Sequence, residues 1–167
     1  MKIVLICYIK KVEDILILVE RNLLKLSLFS LFSLQILQVF FRYVLSNPLA
    51  WVDELSRYVF IFMVMLGAGL GAAKSEHFSM TYITQKIKSS KALKIFTFLS
   101  DLPVVAFTIV IIIYGTRLLH TVSTQITAAL GISFTIPYST VIIGASLLLL
   151  HTLFQWIYLM NNEYFLI

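Results

Sequence analysis

Apolar residues in this chain fall into four long blocks, with charged residues kept to the block ends and the stretches between. The blocks cover residues 23–44, 51–73, 95–119 and 136–160. A helix rises about 1.5 Å per residue and the hydrocarbon core of a bilayer is about 30 Å thick, so about 20 apolar residues suffice to cross it. Each block meets that length. The pattern predicts an all-α integral membrane protein with four transmembrane helices, forming one membrane domain over residues 1–167. Between the first two blocks lies a short connection, Leu45 to Ala50, whose Asn47-Pro48 pair is a turn signal. So short a loop makes the two helices an antiparallel hairpin.

Two further segments suggest additional in-plane amphipathic helices. Val12, Ile15, Leu16, Val19 and Leu23 recur at helical spacing opposite Glu13, Asp14, Glu20 and Arg21, as expected of a helix lying along the membrane surface. From residue 80 to 99, Lys86, Lys88, Lys91 and Lys94 alternate with Tyr82, Ile83, Ile87, Leu93, Ile95 and Phe96. That stretch is either a contact for anionic lipid headgroups or an ordinary basic loop. The start of the third span has two readings. Ser100-Asp101-Leu102-Pro103 resembles an N-cap with proline in the first turn, which starts the span near Leu102; this reading is preferred. Otherwise Asp101 sits within a longer helix that Pro103 kinks.

Composition agrees with the block pattern. Hydrophobic residues make up 60% of the chain, charged residues 13%, and the mean hydropathy is +0.96. Soluble domains run near about 45–50% and about 25%. The net charge of +5 reflects membrane topology rather than nucleic acid binding. Of 13 Lys and Arg residues, ten precede or open the first span or lie between the second and third, against Arg42, Arg57 and Arg117 on the other side. Positive-inside placement then puts both termini in the cytoplasm. A single cysteine, Cys7, rules out an intrachain disulfide and a cysteine metal cluster. The apolar run from Ile3 to Ile9 stops at Lys10 without a small-residue cleavage site, unlike a signal peptide.

Polar residues within apolar helices call for an explanation. Gln35, Gln38 and Arg42 share one face of the first helix; Asp53, Arg57, Phe60, Val64, Gly67 and Gly71 share one of the second, with Glu54 about a quarter turn away. Arg42 and the carboxylates of Asp53 and Glu54 flank the same turn, so a salt bridge closing the hairpin is expected, in a structural role. Gly67 and Gly71 form a GxxxG match that lets another helix approach closely, from this chain or from a second subunit. His77, His120 and His151 fall at different depths, so no shared metal or haem site is expected. No phosphate loop, catalytic triad or paired carboxylate pocket is present, and neither enzymatic activity nor a cofactor is expected.

The run FRYVLSNPLAWVDELSRY, Phe41 to Tyr58, resembles the signature of the small permease subunit of tripartite ATP-independent periplasmic (TRAP) transporters. That signature is Arg-Tyr, a short turn, Trp, one residue, an acidic pair, Leu and Arg; Arg42, Trp51, Asp53, Glu54 and Arg57 match it. Leu66-Gly67-Ala68 with Lys74 to His77, and the entry to the last helix from Ala128 through Pro137 to Tyr138, are similar to the same family. Many members carry a second proline about where this chain has Ile143, a departure that concerns only the bend of the last helix. The resemblance implies a bacterial inner-membrane accessory subunit that braces a large permease subunit. The large subunit would carry the substrate and sodium sites, and a periplasmic solute-binding protein would deliver an organic acid such as a C4-dicarboxylate or a sialic acid. Arg42, Trp51, Asp53, Glu54 and Arg57 would then join the hairpin or meet a partner. A competing reading is a small haem-binding redox protein using the histidines; a third, a self-assembling channel, finds little support because the spans lack mid-membrane charge.

Overall fold

The computed structural model describes residues 2–73 and 90–160, with side chains over 7–73 and 94–160. Four α-helices account for nearly all of it: α1 (Lys2–Tyr43), α2 (Ala50–Ala73), α3 (Ser90–Val122) and α4 (Thr135–Met160). Each of the four is long and apolar enough to cross a bilayer, so the chain is an all-α membrane protein. In space the order is α1, α2, α4, α3: α2 packs on α1 and α4, α4 packs on α3, and α1 touches α4 only lightly. The α1–α2 turn and the α3–α4 loop lie at one end, called here the turn end. The start of α1 and the end of α4 lie at the other, the terminal end.

The first hairpin forms as its turn chemistry requires. α1 ends where Ser46 adopts a left-handed conformation (φ 50°), with the Asn47 amide donating to the Phe41 carbonyl at 3.0 Å. Pro48 follows and cannot extend the helix. Across the bundle, α2 and α4 meet where Gly144 of α4 has no side chain to separate them. A methyl placed on Gly144 would overlap Met65 Cβ and lie 3.3 Å from the Met65 backbone. Beside this contact Leu66 and Ala145 are buried. Close approach of this kind replaces the hydrophobic drive that lipid does not provide.

The segment read as a separate surface helix is continuous with the first span, since α1 is an unbroken helix from Lys2 to Tyr43. At about 1.5 Å per residue its 42 residues reach roughly 63 Å, twice the hydrocarbon thickness. Its stripe of Glu13 and Glu20 faces protein, with 6% and 2% exposure, instead of water. The physical reason is that α4 offers these carboxylates an imidazole and a phenol, which lie beyond anything local periodicity reports. The preferred start of the third span is also corrected. α3 runs through Ser100, Asp101 and Pro103 without a break. Asp101 is 5% exposed and no N-cap, because its carboxylate accepts a hydrogen bond from Trp156 Nε1 at 3.1 Å. Of the basic stretch, Lys86 and Lys88 and the side chain of Lys91 lie outside the described residues, as does His77. Lys94 is half-buried near the start of α3.

Candidate functional site

Polar chemistry gathers in two places, one at each end of the bundle. At the terminal end, α4 carries His151, Gln155, Trp156 and Tyr158, spaced so that each reaches a different neighbour. The His151 ring is completely buried, with Nε2 3.1 Å from Glu20 Oε1 and Nδ1 3.6 Å from Glu13 Oε1. The Tyr158 hydroxyl donates to Glu13 Oε2 at 2.6 Å. Gln155 Nε2 donates to the Ala72 carbonyl of α2. Trp156 reaches Asp101 on α3 and stacks on Phe98 with ring centroids 4.5 Å apart. One helix thus fastens the other three. Gly69 of α2 faces Glu20, whose Oε2 would lie in ordinary contact, 3.5 Å, from an added Cβ.

At the turn end the organiser is Glu54. Its Oε2 accepts the consecutive amides of Ala129 (2.7 Å) and Leu130 (3.2 Å), while Oε1 accepts the Tyr58 hydroxyl at 2.7 Å. Two successive N–H groups aimed at one oxygen form an anion-binding concavity. The loop that supplies them is closed by a bridge between Ile126 and Ser133, and Gly131 takes the left-handed conformation (φ 66°) its turn requires. Glu54 therefore pins the α3–α4 loop onto α2. Replacing Glu54 with alanine is expected to make the Ala129 and Leu130 amides exchange roughly tenfold faster in hydrogen exchange, with the helices little changed. The glutamine variant, which keeps an acceptor without the charge, should fall between.

The sequence-predicted residues divide accordingly. Arg42 is exposed and lies within 4 Å of neither Asp53 nor Glu54, so the expected salt bridge across the hairpin is absent. Glu54 is turned inward and occupied by the loop. Trp51 is 40% exposed at the turn end, the level where amphipathic rings settle in a bilayer. Asp53 and Arg57 are exposed and line a cleft of about 380 Å³ with Leu31, Gln35, Ser56 and Phe60. Among the described residues Arg57 Nε donates to the Asp53 backbone carbonyl, at 3.4 Å. Gly67 meets Leu24 of α1 at 3.6 Å, whereas Gly71 has nothing within 4 Å among the described residues, so within this chain the GxxxG pair does not form one helix contact. Glu13, Glu20, Gln155 and Tyr158 were not predicted as site residues. Their signal was the seven-residue spacing on α1 and the four- and seven-residue spacings from His151 on α4.

Comparison with known proteins places these features in a family. The family model described as "Tripartite ATP-independent periplasmic transporters, DctQ component" matches residues 31–162. The sialic acid TRAP transporter permease protein SiaT of Haemophilus influenzae (strain 86-028NP) is 30% identical over 104 residues, covering 62% of this chain and 17% of that protein. The sialic acid TRAP transporter small permease protein SiaQ of Vibrio cholerae serotype O1 (strain ATCC 39315 / El Tor Inaba N16961) is 28% identical over 58 residues, 35% of this chain and 34% of that protein. The matched regions thus span about a sixth and a third of these relatives.

Proposed function

Because this chain belongs to the DctQ component family of tripartite ATP-independent periplasmic transporters, we propose that it is the small, accessory subunit of a sodium-coupled importer of an organic acid. It is a transporter component and not an enzyme, and a multi-pass inner-membrane protein. Its partners in this reading are a large permease subunit, which moves the substrate, and a periplasmic solute-binding protein, which delivers it. A sialic acid is the favoured substrate class, since both relatives above are named for it; a C4-dicarboxylate is the alternative.

The observation that carries the accessory role is where the polar groups are. Along α2 the buried positions between Glu54 and Ala72 are Ser56, Leu66 and Gly69, no charged side chain occurs from Val59 to Ala73, and Gly144 of α4 packs against Met65 there. A conduction path or carrier site needs polar or ionisable groups near the midplane. Here the charged groups of the described residues lie toward the two ends of the bundle, and the deepest on α2 from the turn end is Arg57, roughly 10 Å along the helix. The same geometry weighs against the haem reading, because the His151 ring is held between two carboxylates and His120 is at the opposite end of the bundle. The Lys and Arg asymmetry supports an orientation with the turn end in the periplasm and both termini in the cytoplasm.

Proteoliposomes provide the test. With a sodium gradient and solute-binding protein present, vesicles holding this chain alone should take up no labelled sialic acid, and vesicles holding it with the large subunit should accumulate it. Uptake by the chain alone overturns the accessory role. Uptake of a dicarboxylate instead of sialic acid by the complex moves the substrate class and leaves the role intact.

A further inference from the structure

The two broad faces of the bundle differ in chemistry. On α3 the exposed side chains of the middle turns are Phe107, Ile109, Val110 and Ile113, and the helix contains the most apolar window of the four, at mean hydropathy 2.3. Its hydroxyls are satisfied internally: Thr108 donates to the Val104 carbonyl at 2.6 Å and Thr116 to that of Ile112 at 2.9 Å. Such a surface suits acyl chains. The α1–α2 face does not. Its cleft brings together Gln35, Asp53, Ser56 and Arg57, and the Asp53 carboxylate and Arg57 guanidinium have no opposite charge within 4 Å among the described residues. The Ser56 hydroxyl, on a residue only 5% exposed, has no hydrogen-bond partner there.

Depth decides what can complete these groups. Ser56 and Arg57 lie six and seven residues into α2, and Gln35 eight residues from the end of α1, or roughly 9–12 Å below the turn end. One leaflet of hydrocarbon is about 15 Å deep, so this is acyl-chain territory, where lipid supplies neither donors nor acceptors. A headgroup would have to sink most of a leaflet to reach Gln35. Beside the cleft, and sharing Gln35 with it, runs an apolar groove of about 400 Å³ lined by Phe32, Ile36, Val39 and Phe40. A polar centre flanked by large exposed apolar anchors is the anatomy of a protein contact within a membrane.

We propose that the α1–α2 cleft is the docking face for the large permease subunit and takes from it a polar membrane segment that brings a donor or cation to Asp53 and an acceptor to Arg57. This rests on the subunit role proposed above and adds which face meets the partner. The bundle then has a protein side, α1 with α2, and a lipid side, α3.

The test is site-specific photocrosslinking in the complex co-expressed with its large permease subunit. A benzophenone side chain at Phe60 or Phe32 should give adducts to the large subunit, and one at Phe107 or Ile113 should give lipid adducts. Large-subunit adducts from Phe107 and Ile113 but not from Phe60 and Phe32 overturn the proposal, as do lipid adducts alone from Phe60 and Phe32 while the large subunit co-purifies. If the large subunit never co-purifies, the subunit role itself fails and this face with it. The double variant Asp53→Asn, Arg57→Gln should recover the large subunit about tenfold less well or worse, with an unchanged unfolding temperature for the isolated chain. Undiminished recovery by that variant also overturns the proposal.

Discussion

Leucine in place of His151 lowers the unfolding temperature of this protein by about 6–12 °C, and removing both glutamate charges in the same chain returns most of that loss. The expectation follows from what surrounds the ring. His151 is fully buried and lies 3.1 Å from Glu20 and 3.6 Å from Glu13, which are themselves only 2% and 6% exposed. Leucine fills a similar volume but leaves two carboxylates facing an apolar surface, one still holding the Tyr158 hydroxyl at 2.6 Å. Breaking a buried ion pair from one side costs about 3–5 kcal/mol, because the remaining charge has lost both water and partner. At the lower figure a chain of this size shifts by about 2–4 °C per kcal/mol. The triple variant Glu13→Gln, Glu20→Gln, His151→Leu leaves no charge behind, so its loss should be well under that of His151→Leu alone. The strong non-additivity is the signature of coupled groups. Thermal unfolding in detergent, followed by the monodisperse fraction, measures both. Equal loss in the single and triple variants would show that the three residues do not act together.

How far the sequence could be read depended on whether a feature is set by lipid or by a neighbour distant in sequence. The four spans were legible because the bilayer imposes a length and an apolar composition on any crossing helix, and the Asn47-Pro48 turn because its chemistry is local. The inward turn of Glu54 was half legible. Its offset from Asp53 on the helix wheel separates their roles, but the amides it binds are 75 and 76 residues away. Glu13 and Glu20 were misread as a water-facing stripe. Spacing reports which residues share a stripe, not what lies opposite, and the partners here are on α4. Asp101 failed for the same reason. A Ser-Asp-x-Pro string is a good cap in isolation, and only Trp156, 55 residues on, turns it into a buried acceptor. Arg42 was paired with the nearest carboxylates along the chain, while the fold gives Glu54 to the α3–α4 loop and leaves Arg42 exposed.

A glycine that the sequence reading passed over is expected to matter more than the pair it singled out. Gly144 is where α4 lies against α2, and any side chain there meets the Cβ of Met65 with the Met65 backbone 3.3 Å away. Neither atom belongs to a flexible tip that can swing aside, so the helices must separate. Separation would also loosen the Gln155 bond to Ala72, which spans the same two helices. Gly144→Ala should therefore cost about 1–3 kcal/mol, the usual range for overpacking a tight core, and Gly144→Leu should prevent a monodisperse fold. Gly71 has nothing within 4 Å, and Gly71→Ala should be neutral or slightly stabilising, since alanine is the better helix former. Because the overlap is with Cβ, Met65→Ala should not rescue Gly144→Ala, whereas Met65→Gly should do so in part. Unfolding temperatures of the five variants decide the matter. A Gly144→Ala chain as stable as the parent would mean that the α2–α4 contact is looser than the structure places it.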